Sequence, residues 1–393
     1  MSRGTLFFTT SYPFNEDYAL KFGFEILRQR GFTLRILNIM DLVFPSRAVD
    51  VYDRPEAMGP VLGIAQERIR SLDELERALA DDGNPRLVIT ASITTRPVLR
   101  TFERAGVGYM VVLSNHQPAP APPPLPTRLA TVFRKAVFEP GRFFDETILK
   151  RFPASWSSAP APAFVVRGSE IEPLEFSPGT RVINAHSFDY DRALLEANSE
   201  RHPEAPAGEY YVHLECPPWE CHDYKVLGLK GVVTKEVYGA MIQKFFDFVE
   251  KKTGIPIVVS AHPKHTSEED VYGGRPFLHG TERLVRHAKG VFCHYSGAIK
   301  FAVLHRIPIC FLGSRKLDAD FYFKSNLTAY AEGLRAPVMM FDDDSDVRNF
   351  SEKGFFQMSD SAYDEYMKLY IATDGANKRP MWEHIGDILE EEL

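Results

Sequence analysis

Cysteine is scarce in this chain, with four in 393 residues: Cys216, Cys221, Cys293 and Cys310. That is too few at this length for a disulfide framework, so a buried apolar core must hold the fold. An excess of positive charge is also missing. Lys and Arg number 46 against 53 Asp and Glu, a formal charge of −7, which argues against a general nucleic-acid binder. No apolar run approaches the length of a membrane span, and Thr5–Phe8 is too short for a signal-peptide core. A cytoplasmic protein is therefore expected. No G-x-G-x-x-G follows the opening strand, which gives no support to a dinucleotide cofactor. A convincing D-x-D is absent too, and no metal is expected. His213, Cys216, Cys221 and His222 form H-x2-C-x4-C-H. This is not a standard zinc spacing, and the adjacent Cys221 and His222 would point in different directions in any regular element. No repeat of solenoid period is present.

What the chain does have is the composition of a soluble globular protein, 44% hydrophobic and 25% charged, and the length for two domains. Gly4–Thr9 reads as a strand. Asn15 can cap a helix running to about Arg30, with Ala19, Phe22, Ile26 and Leu27 on one face. Phe32–Ile39 is the next strand. Ser71 and Glu74 make a capping box for a helix reaching about Ala80. Arg86–Thr90, Thr95–Ala105 and Gly108–Leu113 read as strand, helix and strand, so the first half is α/β. The proline-dominated Gln117–Pro126 reads as a stiff connector rather than a partner-binding segment. Arg128–Phe152, basic and aromatic, reads as an amphipathic surface. Thr180–His186 is a strand leading through Ser187–Asp191 into a helix. Further on, Asp342–Asp346 (DDDSD) reads as a solvated turn ahead of a helix. Pro380 can open a last helix carrying Trp382, Ile385, Ile388 and Leu389 on one stripe.

The densest pattern lies between Ile255 and Leu312. Ile255–Ser260 is a short apolar run, as a buried parallel strand should be, and it ends in Ala261-His262-Pro263-Lys264. Val291–His294 is a second such strand, ending in Tyr295-Ser296-Gly297-Ala298, and Pro308–Leu312 is a third, with helices between them. Strands alternating with helices imply a parallel sheet, and ligands in such sheets sit beyond the carboxyl ends of the strands. Ser296 is expected at a helix N-terminus, where free N–H groups favour an anion. Gly297 would let a phosphate approach the backbone closely.

An HP pair ending one strand, followed about thirty residues later by a Ser-small pair opening a helix, resembles the donor half of GT-B glycosyltransferases. The chain is most similar there to bacterial sialyltransferases and Kdo transferases, which use CMP-activated sugars. The resemblance implies two Rossmann-like domains facing a cleft: an acceptor domain over 1–180, a donor domain over 181–375, and a helix over 376–393 crossing back. It implies transfer of an acidic sugar, of Kdo or nonulosonic (sialic) type, to a glycan or glycolipid acceptor in lipopolysaccharide or capsule synthesis. A nucleotide sugar would be the substrate, with no separate cofactor. Peripheral contact with the inner membrane or other polysaccharide-synthesis proteins follows from the same resemblance. His262, Pro263, Lys264, Ser296, Gly297, Ala298 and Lys300 are then the donor-phosphate candidates. A UDP-sugar 2-epimerase of the same fold and a non-catalytic carbohydrate-binding protein are the competing readings.

A transferase also needs a carboxylate to attack or to accept a proton. Glu215 ends the strand Glu209–Leu214 and is the first candidate, with Asp223, His186 and Asp189 as alternatives. Asp189 and Asp191 also read as caps of the helix that follows them. Asp81-Asp82-Gly83 imitates an acidic-acidic-glycine base motif, but it follows a helix rather than a strand and reads better as a C-terminal turn.

Overall fold

The computed structural model describes residues 3–45, 58–80, 83–92, 94–122, 125, 160–170, 178–219, 231–262 and 270–393. These form two parallel α/β units, the Rossmann-like plan that the alternation of strands and helices implies. The first holds 3–115, the described part of 124–191, and Thr373–Leu393; the second holds 116–122 and Arg192–Ala372. The division falls after Asp191 rather than at residue 180, because the strand Arg181–Asn184 pairs within the first sheet. The basic aromatic stretch 128–152 and the pair Asp81-Asp82 lie outside the described residues.

The first sheet runs β1 (Gly4–Thr10), β2 (Phe32–Asn38), β3 (Gln66–Arg68), β4 (Arg86–Thr90), β5 (Gly108–Leu113), β6 (Phe164–Arg167) and β7 (Arg181–Asn184). Its spatial order is β3-β2-β1-β4-β5-β6-β7, with every pair parallel. β1 is buried along its whole length, as a strand covered on both faces should be. Leu6 and Phe8 join one core cluster and Phe7 the other, the alternation that a two-residue period demands.

The helix expected from Asn15 to Arg30 is two helices, Glu16–Lys21 and Phe24–Gln29. Gly23 breaks it in the left-handed region at φ 60°. A Cβ on Gly23 would sit 2.3 Å from Trp382, so the break makes room for that indole. Trp382 belongs to the last helix, Met381–Glu392, whose Met381, Ile385, Ile388 and Leu389 enter the same core cluster as Leu6 and Phe8.

The second sheet runs β8 (Tyr211–Leu214), β9 (Ile257–Ser260), β10 (Phe277–Leu278), β11 (Gly290–Cys293), β12 (Ile309–Gly313) and β13 (Val338–Met340). Its order is β10-β9-β8-β11-β12-β13, again all parallel. Helix Lys235–Thr253 lays Tyr238, Ile242, Phe245, Phe246 and Val249 on one face, and Gly254 ends it at φ 72°. The acidic run at 342–346 does take up a turn and a short helix, with Asp343 capping Asp344–Arg348. No helix among the described residues is long and apolar enough to cross a membrane.

Candidate functional site

Counted from its own first strand, the second sheet has the order 3-2-1-4-5-6. The chain lays down β8, β9 and β10 to one side, then returns to place β11 on the other side of β8. Helices on opposite faces diverge at such a reversal, and the crevice beyond the strand ends is where open α/β sheets hold ligands. Here it lies past Leu214 on β8 and Cys293 on β11, which pair with each other.

Glu215 follows β8. It is 2% exposed, and its Oε2 accepts the His262 backbone N–H at 2.8 Å while its Oε1 accepts the Tyr272 hydroxyl at 3.3 Å. Its own N–H donates to Ser260 at 3.1 Å. His262, half-buried, follows β9. Past β11, Tyr295 is buried while Ser296, Gly297 and Ala298 are half-buried. Ser296 does not cap the next helix. That helix is Ile299–Leu304 with Ala298 at its N-cap, and Ser296 Oγ accepts the Ala298 N–H at 3.2 Å inside the preceding turn. Lys300 is fully buried on this helix.

His262 and Ser296 do not stand on neighbouring strand ends. β8 lies between β9 and β11, with Leu214 opposite Ser260 on one side and Cys293 on the other. Two strand spacings come to about 10 Å, and Glu215 occupies the place between. Pro263, Lys264 and Asp223 lie outside the described residues, as do Cys221 and His222.

His186 and Asp189 sit in the first unit. His186 is fully buried, and its Nε2–H donates to the Arg379 carbonyl at 3.1 Å. Asp191, 3.9 Å from the same nitrogen, accepts the Met381 N–H at 2.5 Å; burial raises its pKa, opposed by that hydrogen bond. His186 and Asp191 thus fasten the start of the last helix. Asp189 lies in the first turn of the helix Phe188–Leu195, where its charge suits the helix dipole.

Three arrangements were not singled out from the sequence, although His213 was, as part of H-x2-C-x4-C-H. Gln117 leaves β5 and belongs with the second unit. Its Oε1 accepts the Tyr330 hydroxyl at 2.7 Å, and its Nε2 lies 2.8 Å from where a Cβ on Gly297 would be. The connector therefore places an amide directly over the Gly297 turn. The second feature is Tyr272, whose hydroxyl reaches Glu215. The third is a pair of buried imidazoles beneath the strand ends, His213 and His294, with ring centroids 5.9 Å apart. The Leu312 carbonyl can only accept, so His294 Nδ1 carries the proton across that 2.6 Å contact and Nε2 accepts from the Tyr238 hydroxyl at 2.8 Å. Burial lowers the His294 pKa to about 4. Among the described residues neither nitrogen of His213 has a hydrogen-bond partner. Burial first, and then His294, push its pKa well below the ordinary value; the Phe292 backbone opposes both without reaching hydrogen-bond geometry.

No family model matches this chain, and no curated protein matches it in sequence. Solved structures similar to it include the glycotransferase of kitacinnamycin (11% identity, TM-score 0.49, covering 100% of this chain and 99% of that one). Others are MurG of Acinetobacter baumannii (10%, 0.49, 99% and 99%) and UDP-GlcNAc 2-epimerase of Methanocaldococcus jannaschii (12%, 0.49, 98% and 99%). At such identities and scores no activity passes from these proteins to this chain.

Proposed function

We propose that this chain is a GT-B glycosyltransferase that binds a nucleotide-activated sugar at the carboxyl edge of its second sheet and transfers the sugar to a glycan or glycolipid acceptor. One observation carries the reading: at the strand-order reversal around β8, His262 follows β9 on one side and the Ser296-Gly297-Ala298 turn follows β11 on the other. In this reading His262 donates to one phosphate of the donor, the turn supplies backbone N–H groups to the other, and the developing charge on the leaving group is stabilised by groups already in place.

The span between His262 and the turn bears on the nucleotide. The backbones of β9 and β11 stand about 10 Å apart, a gap that two linked phosphates bridge more readily than one held by hydrogen bonds of about 2.8 Å on each side. This favours a nucleoside-diphosphate sugar over the CMP-linked Kdo or nonulosonic acid that the HP resemblance implies. It equally suits a UDP-sugar 2-epimerase, which would consume donor with no acceptor present.

Calorimetric titration with UDP, CDP and CMP tests the site. Binding of at least one nucleotide is expected, weakened about tenfold or more by His262→Ala, the loss of one hydrogen bond to a charged group. UDP binding more tightly than CMP supports the diphosphate donor, and the reverse supports the acidic-sugar donor. Donor turnover without acceptor selects the epimerase. If no nucleotide binds, the transferase reading fails and a non-catalytic carbohydrate-binding role takes its place.

A further inference from the structure

Glu215 stands at the centre of the proposed donor site, yet its geometry is that of a fastening rather than a reacting group. An attacking carboxylate needs an oxygen open to the substrate at about 3–3.5 Å. Glu215 is 2% exposed, and both of its oxygens already accept hydrogen bonds, from the His262 N–H and the Tyr272 hydroxyl. With its own N–H on the Ser260 carbonyl, it ties the end of β8 to the end of β9.

Tyr272 is in turn held hard. Its ring packs on Phe246, Phe277 and His213. Its carbonyl accepts from Arg275 at 2.8 Å, and that guanidinium is paired with Glu250 and Asp247. Gly273 and Gly274, both left-handed at φ 69° and 74°, let the chain turn between them. Two segments far apart in sequence thus converge to orient one carboxylate at one backbone amide.

We propose that Glu215, braced by Tyr272, is a positioning residue for His262: it fixes the backbone from which the imidazole reaches the donor. This rests on the nucleotide-sugar reading above. Fixing the amide confines the imidazole to its side-chain rotations, so less freedom is lost when the ligand binds.

The test compares Glu215→Gln, Glu215→Ala and Tyr272→Phe in the full chain, with two readouts. The first is hydrogen exchange at the His262 amide, followed with selectively nitrogen-labelled histidine and needing no ligand. The second is affinity for whichever of UDP, CDP and CMP the wild type binds, with kcat and KM for donor consumption. Glu215→Ala should speed exchange at His262 by roughly 10- to 100-fold and weaken nucleotide binding by a similar factor. Glu215→Gln, which still offers an oxygen to the amide, should stay within about threefold on both. Tyr272→Phe should fall between and keeps the test alive if the alanine variant does not fold. A Glu215→Gln protein that binds nucleotide normally but loses kcat about a thousandfold would make Glu215 a reacting group and overturn the proposal. Unchanged exchange at His262 in Glu215→Ala and Tyr272→Phe would overturn it too. A wild type that binds no nucleotide defeats the transferase reading, while the exchange measurement still decides whether the fastening exists.

Discussion

Replacing Trp382 by alanine is expected to destabilise the first unit by about 3–5 kcal/mol, the range for emptying a fully buried aromatic site. The indole is 0% exposed and lies against Phe8 and Phe22, with centroids 6.5 and 5.8 Å away. Its Nε1–H donates to the Lys21 carbonyl at 2.7 Å, at the end of the helix that Gly23 interrupts. Alanine would leave a large cavity and also strip that half-buried carbonyl of its donor. Trp382→Phe fills most of the space and loses the hydrogen bond, so a smaller loss of about 1–2 kcal/mol is expected from the unpaired acceptor. Urea unfolding followed by far-ultraviolet circular dichroism measures both. A loss below about 1 kcal/mol for the alanine variant would mean that the last helix does not complete this core in solution.

The second large effect is acid lability centred on the buried imidazoles. His294 has its pKa lowered by burial to about 4, against about 6.5 in an unfolded chain. A group depressed in this way favours the folded state fully above its unfolded pKa, and that contribution is lost as pH falls towards the folded one. Between pH 6.5 and 4 the unfolded chain takes up a proton that the folded chain refuses. At about 1.4 kcal/mol per pH unit, His294 alone removes about 3 kcal/mol over that window. His213 acts in the same direction, since burial lowers its pKa as well. Its two nitrogens have no hydrogen-bond partner among the described residues, so His213→Phe should stabilise the second unit at neutral pH by about 1–3 kcal/mol and flatten the acid limb. The ring contacts with Phe246 and Tyr272 suit a phenyl group. Unfolding at a series of pH values checks this, with Trp219, whose ring centroid lies 5.1 Å from that of Tyr238, reporting on this unit. A destabilised His213→Phe with an unchanged acid limb would show that the imidazole has partners in solution, such as bound water.

Much of the fold was legible because buried parallel strands are short, predominantly apolar runs bounded by helices or turns, and β1, β8, β9 and β11 all have that form. β3 is Gln-Glu-Arg at a sheet edge, and nothing in those side chains announces a strand. The double helix after β1 reads as one because Ala19, Phe22, Ile26 and Leu27 keep helical spacing across the break. The reason for the break, Trp382, is hundreds of residues away. The site was legible as strand ends but not as an arrangement. Spacing along the chain places His262 and Ser296 on successive long strands, whereas the sheet inserts β8 between them. Glu215 illustrates the limit: a carboxylate at a strand end looks the same in sequence whether it reacts or fastens. Only Tyr272 and the His262 amide distinguish the two, through contacts 57 and 47 residues away. Gln117 is hidden for a similar reason, since a proline-rich connector gives no sign of which turn its one amide will cover.

The return of residues 373–393 to the first unit sets an order of events during synthesis. β1 and β2 leave the ribosome before residues 373–393, and the cluster around Leu6 and Phe8 lacks Trp382, Ile385 and Leu389 until the polypeptide between them has been made. The second unit, within 192–372, has all but a short connector in one continuous stretch. The part of the chain translated first is therefore the part whose core is finished later, and the nascent amino-terminal half must wait, with apolar surface uncovered, in a form that chaperones recognise.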